Sequence, residues 1–141
     1  MSAVDLPPEL LERFIELASA GLAARRGGDA ETAEAHYLAA WDVIPEPKRD
    51  CDRSGSFTTA IMDFYLETGQ PKKAWAWLPL YEQFYDLDVD HDMWVGKLAY
   101  ASGDLERAAA AFGRAHAAYG RRPFQGENPQ YWEFLVQSRL R

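Results

Sequence analysis

Residues 96–115 read Gly96-Lys-Leu-Ala-Tyr-Ala-Ser-Gly103-Asp104-Leu-Glu-Arg-Ala108-Ala-Ala-Ala-Phe112-Gly-Arg-Ala115. Apolar residues recur every three or four positions on both sides of Gly103, which predicts two amphipathic helices. Gly103 suits the left-handed conformation that ends a helix, and Asp104 suits the N-cap of the next helix. Gly96 and Ala108 would let the two helices approach closely, with the large Phe112 side chain beside them. The stretch therefore predicts a helix hairpin.

The same arrangement occurs three times along the chain. The turns are Gly28-Asp29, Gly69-Gln70 and Gly103-Asp104, of which the last two lie 34 residues apart and the first two 41. Equivalent positions after the three glycines hold Ala33, Ala74 and Ala108, then Tyr37, Leu78 and Phe112, then Ala40, Tyr81 and Ala115. The positions seven residues before the glycines hold Gly21, Met62 and Gly96. Three hairpins in one register predict a helical-repeat protein.

These residues resemble the tetratricopeptide repeat family, whose units are 34 residues long, and the resemblance covers most of the chain. It implies an all-α, right-handed helical solenoid of about three helix-turn-helix repeats with a C-terminal capping helix. The second repeat departs from the family at Met62 and Tyr81, where small residues are expected. We predict a single domain over 1–141, with repeats at about 8–45, 56–86 and 90–120 and a capping helix at about 129–140.

Seven helices follow from the periodicity and the turn signals. They are predicted at about 8–26, 30–43, 56–68, 71–85, 91–101, 105–119 and 129–140. Pro71 suits the first turn of its helix, whereas Pro79 falls inside the same helix and is expected to kink or break it. Asn128 is expected to cap the last helix, which would cover the apolar end of the stack as terminal helices do in solenoids.

Composition narrows the classes of function. Hydrophobic residues make up 48% of the chain, which excludes a disordered tail. No apolar run approaches the ~20 residues that span a bilayer, and a formal net charge of −7 opposes binding to nucleic acid. The first residues lack the basic-then-apolar pattern of a signal peptide, and one cysteine cannot build a disulfide framework. We therefore expect a cytoplasmic protein that binds neither membranes nor nucleic acid.

No catalytic, metal or cofactor motif is complete in the sequence. Residues 86–92 alternate aspartates like the start of a calcium loop, but His91 replaces the glycine at its sixth position and Lys97 the glutamate at its twelfth. The three histidines lack a metal-ligand spacing, and Cys51 has no histidine near it in sequence. We expect no enzyme and no cofactor; the one catalytic alternative is a site assembled from Glu67, His91 and Asp92.

The family resemblance also implies where a partner would bind. In tetratricopeptide proteins the first helix of each repeat lines a concave groove, and ligands commonly dock there. Carried onto this chain, the candidate partner-binding residues are Arg25, Arg26, Thr59, Asp63, Leu66, Glu67, Asp90, Met93, Lys97 and Tyr100. This set does not reproduce the lysine–asparagine clamp of chaperone-associated members, so that role is not expected. Exposed aromatic residues leave self-association open.

Two further strings resemble a narrower group within the family. They are Ala-Trp41-Asp-Val-Ile-Pro45-Glu-Pro47-Lys48 and Glu-Asn128-Pro129-Gln-Tyr131-Trp-Glu-Phe134-Leu135. The group consists of short bacterial proteins commonly encoded beside polymorphic toxins and regarded as their immunity proteins. The chain departs from it at Cys51, where an aromatic residue is expected, and at the acidic start of the fifth helix.

The leading hypothesis is therefore a non-catalytic immunity protein that binds and neutralises a cognate toxin domain. If that toxin is a basic nuclease, acidic side chains could steer the encounter by mimicking phosphate: Asp63, Glu67, Asp86, Asp88 and Asp90. The alternative is an adaptor or secretion chaperone, which would bind a peptide or an unfolded client instead of a folded domain.

Overall fold

The computed structural model describes residues 5–140, and all regular secondary structure in that range is helical. The helices are α1 (Pro8–Arg26), α2 (Ala30–Val43), α3 (Asp52–Glu67), α4 (Pro71–Tyr81), α5 (Val89–Ala101), α6 (Leu105–Tyr119) and α7 (Pro129–Arg139). Short 3-10 helices occupy Lys48–Asp50 and Arg122–Phe124. Neighbouring helices pack as pairs, so the predicted all-α helical-repeat architecture is confirmed. None of the helices in the described range is both long enough and apolar enough to cross a membrane.

The chain forms two compact units, Met1–Phe64 and Tyr65–Arg141, and the division falls inside α3. The residues that bound the predicted single domain, 1–4 and 141, lie outside the described residues. The single-domain organisation over 1–141 stays a prediction.

In the first unit, α1 and α2 form a hairpin through the turn predicted from the sequence. Gly28 has the left-handed φ of 80°, and the Asp29 carboxylate accepts a hydrogen bond from the backbone N–H of Thr32 at 3.1 Å. A Cβ atom placed on Gly21 would lie 2.7 Å from the ring of Tyr37. The absence of a side chain on Gly21 therefore lets the two helices approach, as the register predicts.

In the second unit, α5 and α6 repeat this geometry. Gly103 has φ 81°, and the Asp104 carboxylate accepts from the backbone N–H of Arg107 at 3.2 Å. The ring of Phe112 packs directly against Gly96. The core of this unit is built by Met93, Ala99, Ala108, Phe112, Ala115, Phe124 and Leu135.

The last helix covers this hairpin with aromatic side chains. The Tyr100 ring lies 5.6 Å from that of Tyr131 and 5.1 Å from that of Phe134, between centroids. Tyr131 also lies 5.4 Å from Phe112. The Asn128 side chain accepts from the backbone N–H of Gln130 at 3.0 Å and so caps α7. The predicted capping helix therefore lies on the α5–α6 hairpin.

Three helix ends differ from the sequence prediction by two residues or more. α3 begins at Asp52, four residues before the predicted start, and α4 ends at Tyr81 and not at residue 85. The early end of α4 follows Pro79, whose missing N–H removes a helical hydrogen bond. α5 begins at Val89 because the Asp88 carboxylate accepts from the backbone N–H of Asp90 at 3.0 Å and caps it there.

Candidate protein-binding groove

The first unit carries an open groove walled by α1, α2 and α3. Its volume is about 320 Å³. The residues that line it are mostly apolar: Phe14, Ala18, Arg25, Tyr37, Arg53, Ser56, Phe57, Ala60 and Ile61. We call this feature the α1–α3 groove. A concave apolar surface with a few polar groups is the usual form of a binding site in a protein.

Packed aromatic rings fix the shape of the groove. The ring of Phe57 lies edge-on to Phe14 at 6.2 Å and stacks on Trp41 at 5.1 Å, between centroids. Tyr37 lies edge-on to Phe64 at 5.2 Å. Phe14 and Phe57 are each buried, with 7% of their surface exposed. Because these rings hold one another, the groove is formed before any ligand arrives.

A guanidinium group stands at one end of the groove. Arg53 makes a two-point ion pair with Asp5, at 2.7 Å from Nε to Oδ1 and 3.1 Å from Nη2 to Oδ2. Its guanidinium also lies 5.8 Å from the centroid of the Phe14 ring. The hydrogen bond from Arg53, with a second from the backbone N–H of Leu6, holds the pKa of Asp5 below its usual range. The same hydrogen bond to Asp5 raises the pKa of Arg53.

A second guanidinium stands farther along α1. Arg25 lies 11 residues after Phe14, or about 16 Å of helix, and its guanidinium is 5.7 Å from the centroid of the Phe64 ring. The α1–α3 groove thus has an apolar middle with a guanidinium group at each end, and that of Arg53 is already paired with Asp5.

Of the predicted partner-binding residues in the first unit, only one lines the groove. Arg25 lines it, whereas Arg26 is exposed on α1 and does not line it. Thr59 is half-buried and donates from Oγ1 to the backbone carbonyl of Ser56 at 2.8 Å. Asp63 is exposed on α3 and already interacts with other groups of the chain.

The predicted residues of the second unit differ in how far they are exposed. Leu66 and Glu67 lie in the last turn of α3, half-buried and exposed respectively, and Asp90 is exposed in the first turn of α5. Met93 belongs to the core with 6% exposed, and Tyr100 packs against α7.

Lys97 is also buried, which its position in the repeat does not predict. It is 7% exposed, and its ammonium donates to both carboxylate oxygens of Glu127 at 3.0 and 3.2 Å. The same ammonium lies 4.0 Å from the centroid of the Trp94 ring. Lys97 and Met93 therefore present almost no surface to a partner.

The residues of the catalytic alternative have separate partners. His91 Nε2 lies 2.6 Å from Glu82 Oε2, and Asp92 accepts from Arg114 Nε at 3.0 Å. Cys51 is free and buried. Between residues 5 and 140, no group of three or more histidine, cysteine or acidic side chains could hold a metal ion.

Sequence reasoning missed most of the groove. The lining residues Phe14, Phe57 and Ile61 carry the ordinary apolar spacing of a core helix, and Arg53 fell in a segment predicted as a loop. The early start of α3 is what brings Arg53 to the groove. No protein-family model matches the chain, and no significant match was found among curated proteins or solved structures.

Proposed function

We propose that the chain is a non-catalytic protein-binding module of the tetratricopeptide type, and that it is an immunity protein which binds and neutralises a cognate bacterial toxin. The observation that carries this proposal is the α1–α3 groove, a preformed apolar surface flanked by Arg25 and Arg53. Aromatic and arginine side chains dominate the binding energy of protein interfaces.

The size of the groove suits a few side chains of a folded partner. A volume of about 320 Å³ is at the small end of ligand pockets, and it accommodates one or two large side chains. A toxin domain that inserts such residues would have its own surface covered by the surrounding helices. This is a physical basis for neutralisation by occlusion.

The two sequence strings that resemble toxin-associated proteins hold helix ends in place. Lys48 donates from Nζ to the backbone carbonyls of Trp41 and Ile44, the former at 2.9 Å, at the end of α2. Asn128 caps α7. These residues support the scaffold and do not line the α1–α3 groove.

The test combines capture with protection. The tagged chain is used to capture proteins from its native host, and the captured protein is then expressed alone and together with the chain. We expect one stoichiometric partner that is toxic alone and harmless with the chain. A spread of unfolded clients would instead identify an adaptor or secretion chaperone.

A matched pair of variants assigns the binding to the groove. Ala60 is exposed and lines the groove, whereas Ala35 is exposed on α2 and does not line it. Ala60→Glu places a charge in the apolar groove and should weaken capture by at least about tenfold, because that charge would be desolvated. Ala35→Glu should leave capture and protection unchanged. If both variants bind as the parent chain does, the groove is not the binding site.

A further inference from the structure

The outer face of α1 carries apolar side chains that the first unit does not bury. Leu11, Ile15, Ala18 and Leu22 are spaced by four, three and four residues, which places them on one stripe of the helix. Ile15 is 47% exposed and Leu22 39%. Ala18 joins this stripe to the α1–α3 groove. Leu11 and Ala18 are half-buried, so the stripe forms an apolar ridge along α1 whose exposed parts are Ile15 and Leu22.

The ridge is complementary to itself when it is reversed. Its middle holds the small residues Ala18 and Ser19, with Ile15 three residues before them and Leu22 three residues after. Toward its ends lie an acidic residue, Glu12, and a basic residue, Arg26, both exposed. A twofold-symmetric interface requires this property, since each patch must fit an identical copy of itself.

We propose that the ridge is a dimerisation surface whose occupant is a second copy of this chain, with α1 packed antiparallel on the partner's α1. The twofold axis passes between Ala18 and Ser19, where small side chains allow close approach. Ile15 then packs on the partner's Leu22, and Glu12 faces the partner's Arg26. Each of these contacts occurs twice in the dimer.

A second copy fits the ridge better than an unrelated protein does. An acidic residue near the start of a helix and a basic residue near its end also suit the helix dipole, and the same order makes two antiparallel copies of α1 complementary. In an antiparallel pair this charge order brings unlike charges together, whereas a parallel pair would place like charges side by side. The inference does not require the proposed function, because Ile15 and Leu22 do not line the groove, although Ala18 borders both surfaces.

The size of the surface sets the expected affinity. α1 has 19 residues and is therefore about 28 Å long, and two such helices make an interface at the small end of specific interfaces. We expect a reversible dimer with a dissociation constant in the micromolar range.

Sedimentation equilibrium over about 1–500 µM chain gives the first measurement. The parent chain should shift from monomer to dimer across this range. Ile15→Asp and Leu22→Asp should each raise the dissociation constant by about 100-fold or more, because each change enters the interface twice. Leu105→Asp is the matched control: Leu105 is 45% exposed at the start of α6, and this variant should dimerise as the parent chain does. Circular dichroism checks that all three variants keep their helices.

Charge reversal separates this geometry from nonspecific apolar contact. Glu12→Arg and Arg26→Glu should each weaken the dimer several-fold, because each places like charges opposite each other. The double variant should restore the parent affinity, since the pairs are formed again with reversed sign. Two single variants that weaken the dimer without restoration by the double variant would overturn the antiparallel arrangement.

Cysteine crosslinking locates the axis. The native Cys51 is buried, with 8% exposed, so Ser19→Cys supplies an accessible thiol beside the twofold axis. Under mild oxidation Ser19→Cys should form a covalent dimer. Ile15→Cys should not, because the two copies of residue 15 are separated by about 10 Å along the helices, beyond the ~7 Å Cα–Cα limit of a disulfide.

Three results would contradict the proposed dimer. A chain that stays monomeric over the whole concentration range overturns the proposal, as does an equal loss of dimer in Leu105→Asp. If Ile15→Asp instead abolishes capture of the toxin by a monomeric chain, the ridge belongs to that partner and not to a second copy.

Discussion

Single residues decide how closely the helices of each hairpin can pack. Gly96 on α5 faces the ring of Phe112 on α6, and a Cβ atom there would overlap that ring. Gly113, the residue after Phe112, lies in the same hairpin, but a Cβ atom on it would meet nothing within 4 Å. These two helical glycines therefore differ in whether the methyl group of an alanine would have room.

The two alanine substitutions should change stability in opposite directions. Gly96→Ala should lower the free energy of unfolding by about 1–3 kcal/mol, because the added methyl group forces the Phe112 ring or the helix to move. Gly113→Ala should raise it by about 0.5–1 kcal/mol, since alanine favours the helix over glycine and has free space. Urea unfolding followed by circular dichroism measures both. Equal stability of the two variants would show that Gly96 is not a close-packing position.

The ion pair between Asp5 and Arg53 predicts a dependence of stability on pH. The pKa of Asp5 is lowered in the folded chain, chiefly by the hydrogen bond from Arg53. Its contribution to stability is therefore present above the unfolded pKa, about 3.9, and is lost as the pH falls through the lower, folded pKa. Compared with Asp5→Asn, the parent chain should be more stable at pH 6, and this difference should vanish with acidification below about pH 3.9.

The control for this prediction is the other member of the pair. In an Arg53→Gln background, the stability change caused by Asp5→Asn should differ much less between pH 6 and low pH, because only the hydrogen bond from the Leu6 backbone N–H then lowers the pKa of Asp5; thermal unfolding measures both. A pH-dependent difference as large as that in the parent background would mean that Arg53 is not its main source.

At the scale of helices, the end of α2 depends on a side chain from the following segment. The Lys48 ammonium donates to the carbonyls of Trp41 and Ile44 and lies 5.1 Å from the centroid of the Trp41 ring. The last carbonyls of a helix have no partner within the helix and carry partial negative charge. Lys48 thus supplies both the donor and the charge that α2 requires at this end.

Removing this lysine should destabilise the first unit. Lys48→Ala should lower the free energy of unfolding by about 1–2 kcal/mol, because two carbonyls lose a charged donor. Arg49→Ala changes a neighbouring basic residue that is exposed, and it should cost no more than about 0.5 kcal/mol. Hydrogen exchange of the last amides of α2 gives a local readout, and unchanged protection there in Lys48→Ala would contradict the assignment.

The helices that the sequence predicts accurately are those with a local signal at both ends. α1, α2 and α6 have the predicted bounds, since each adjoins a turn of glycine followed by aspartate. α3 begins early because its first turns are stabilised by groups that no helix pattern reveals: Ser54 donates to the Lys48 carbonyl and Thr58 to the Gly55 carbonyl. The early start of α3 then decides that Arg53 belongs to the groove.

At the scale of the molecule, contacts between residues far apart in sequence decide which predicted surface residues are accessible. Lys97 was predicted to face a partner, but it pairs with Glu127, which lies 30 residues later. Tyr100 was predicted to do the same, but it is half-buried and its ring packs against Phe134 of α7. A repeat register shows which face of a helix is equivalent in each unit, but it does not show what a following segment places on that face.

The net charge of the whole chain predicts how salt acts on the proposed dimer. Two copies that each carry a formal charge of −7 repel each other over the Debye length, which is about 30 Å at 0.01 M salt and about 8 Å at 0.15 M. Raising the salt over this range should therefore strengthen the dimer several-fold, although the two pairs between Glu12 and the partner's Arg26 are weakened. Sedimentation equilibrium at both salt concentrations measures the change. A dimer that weakens as salt is added would mean that the charges at the ends of the ridge, and not its apolar middle, supply most of the affinity.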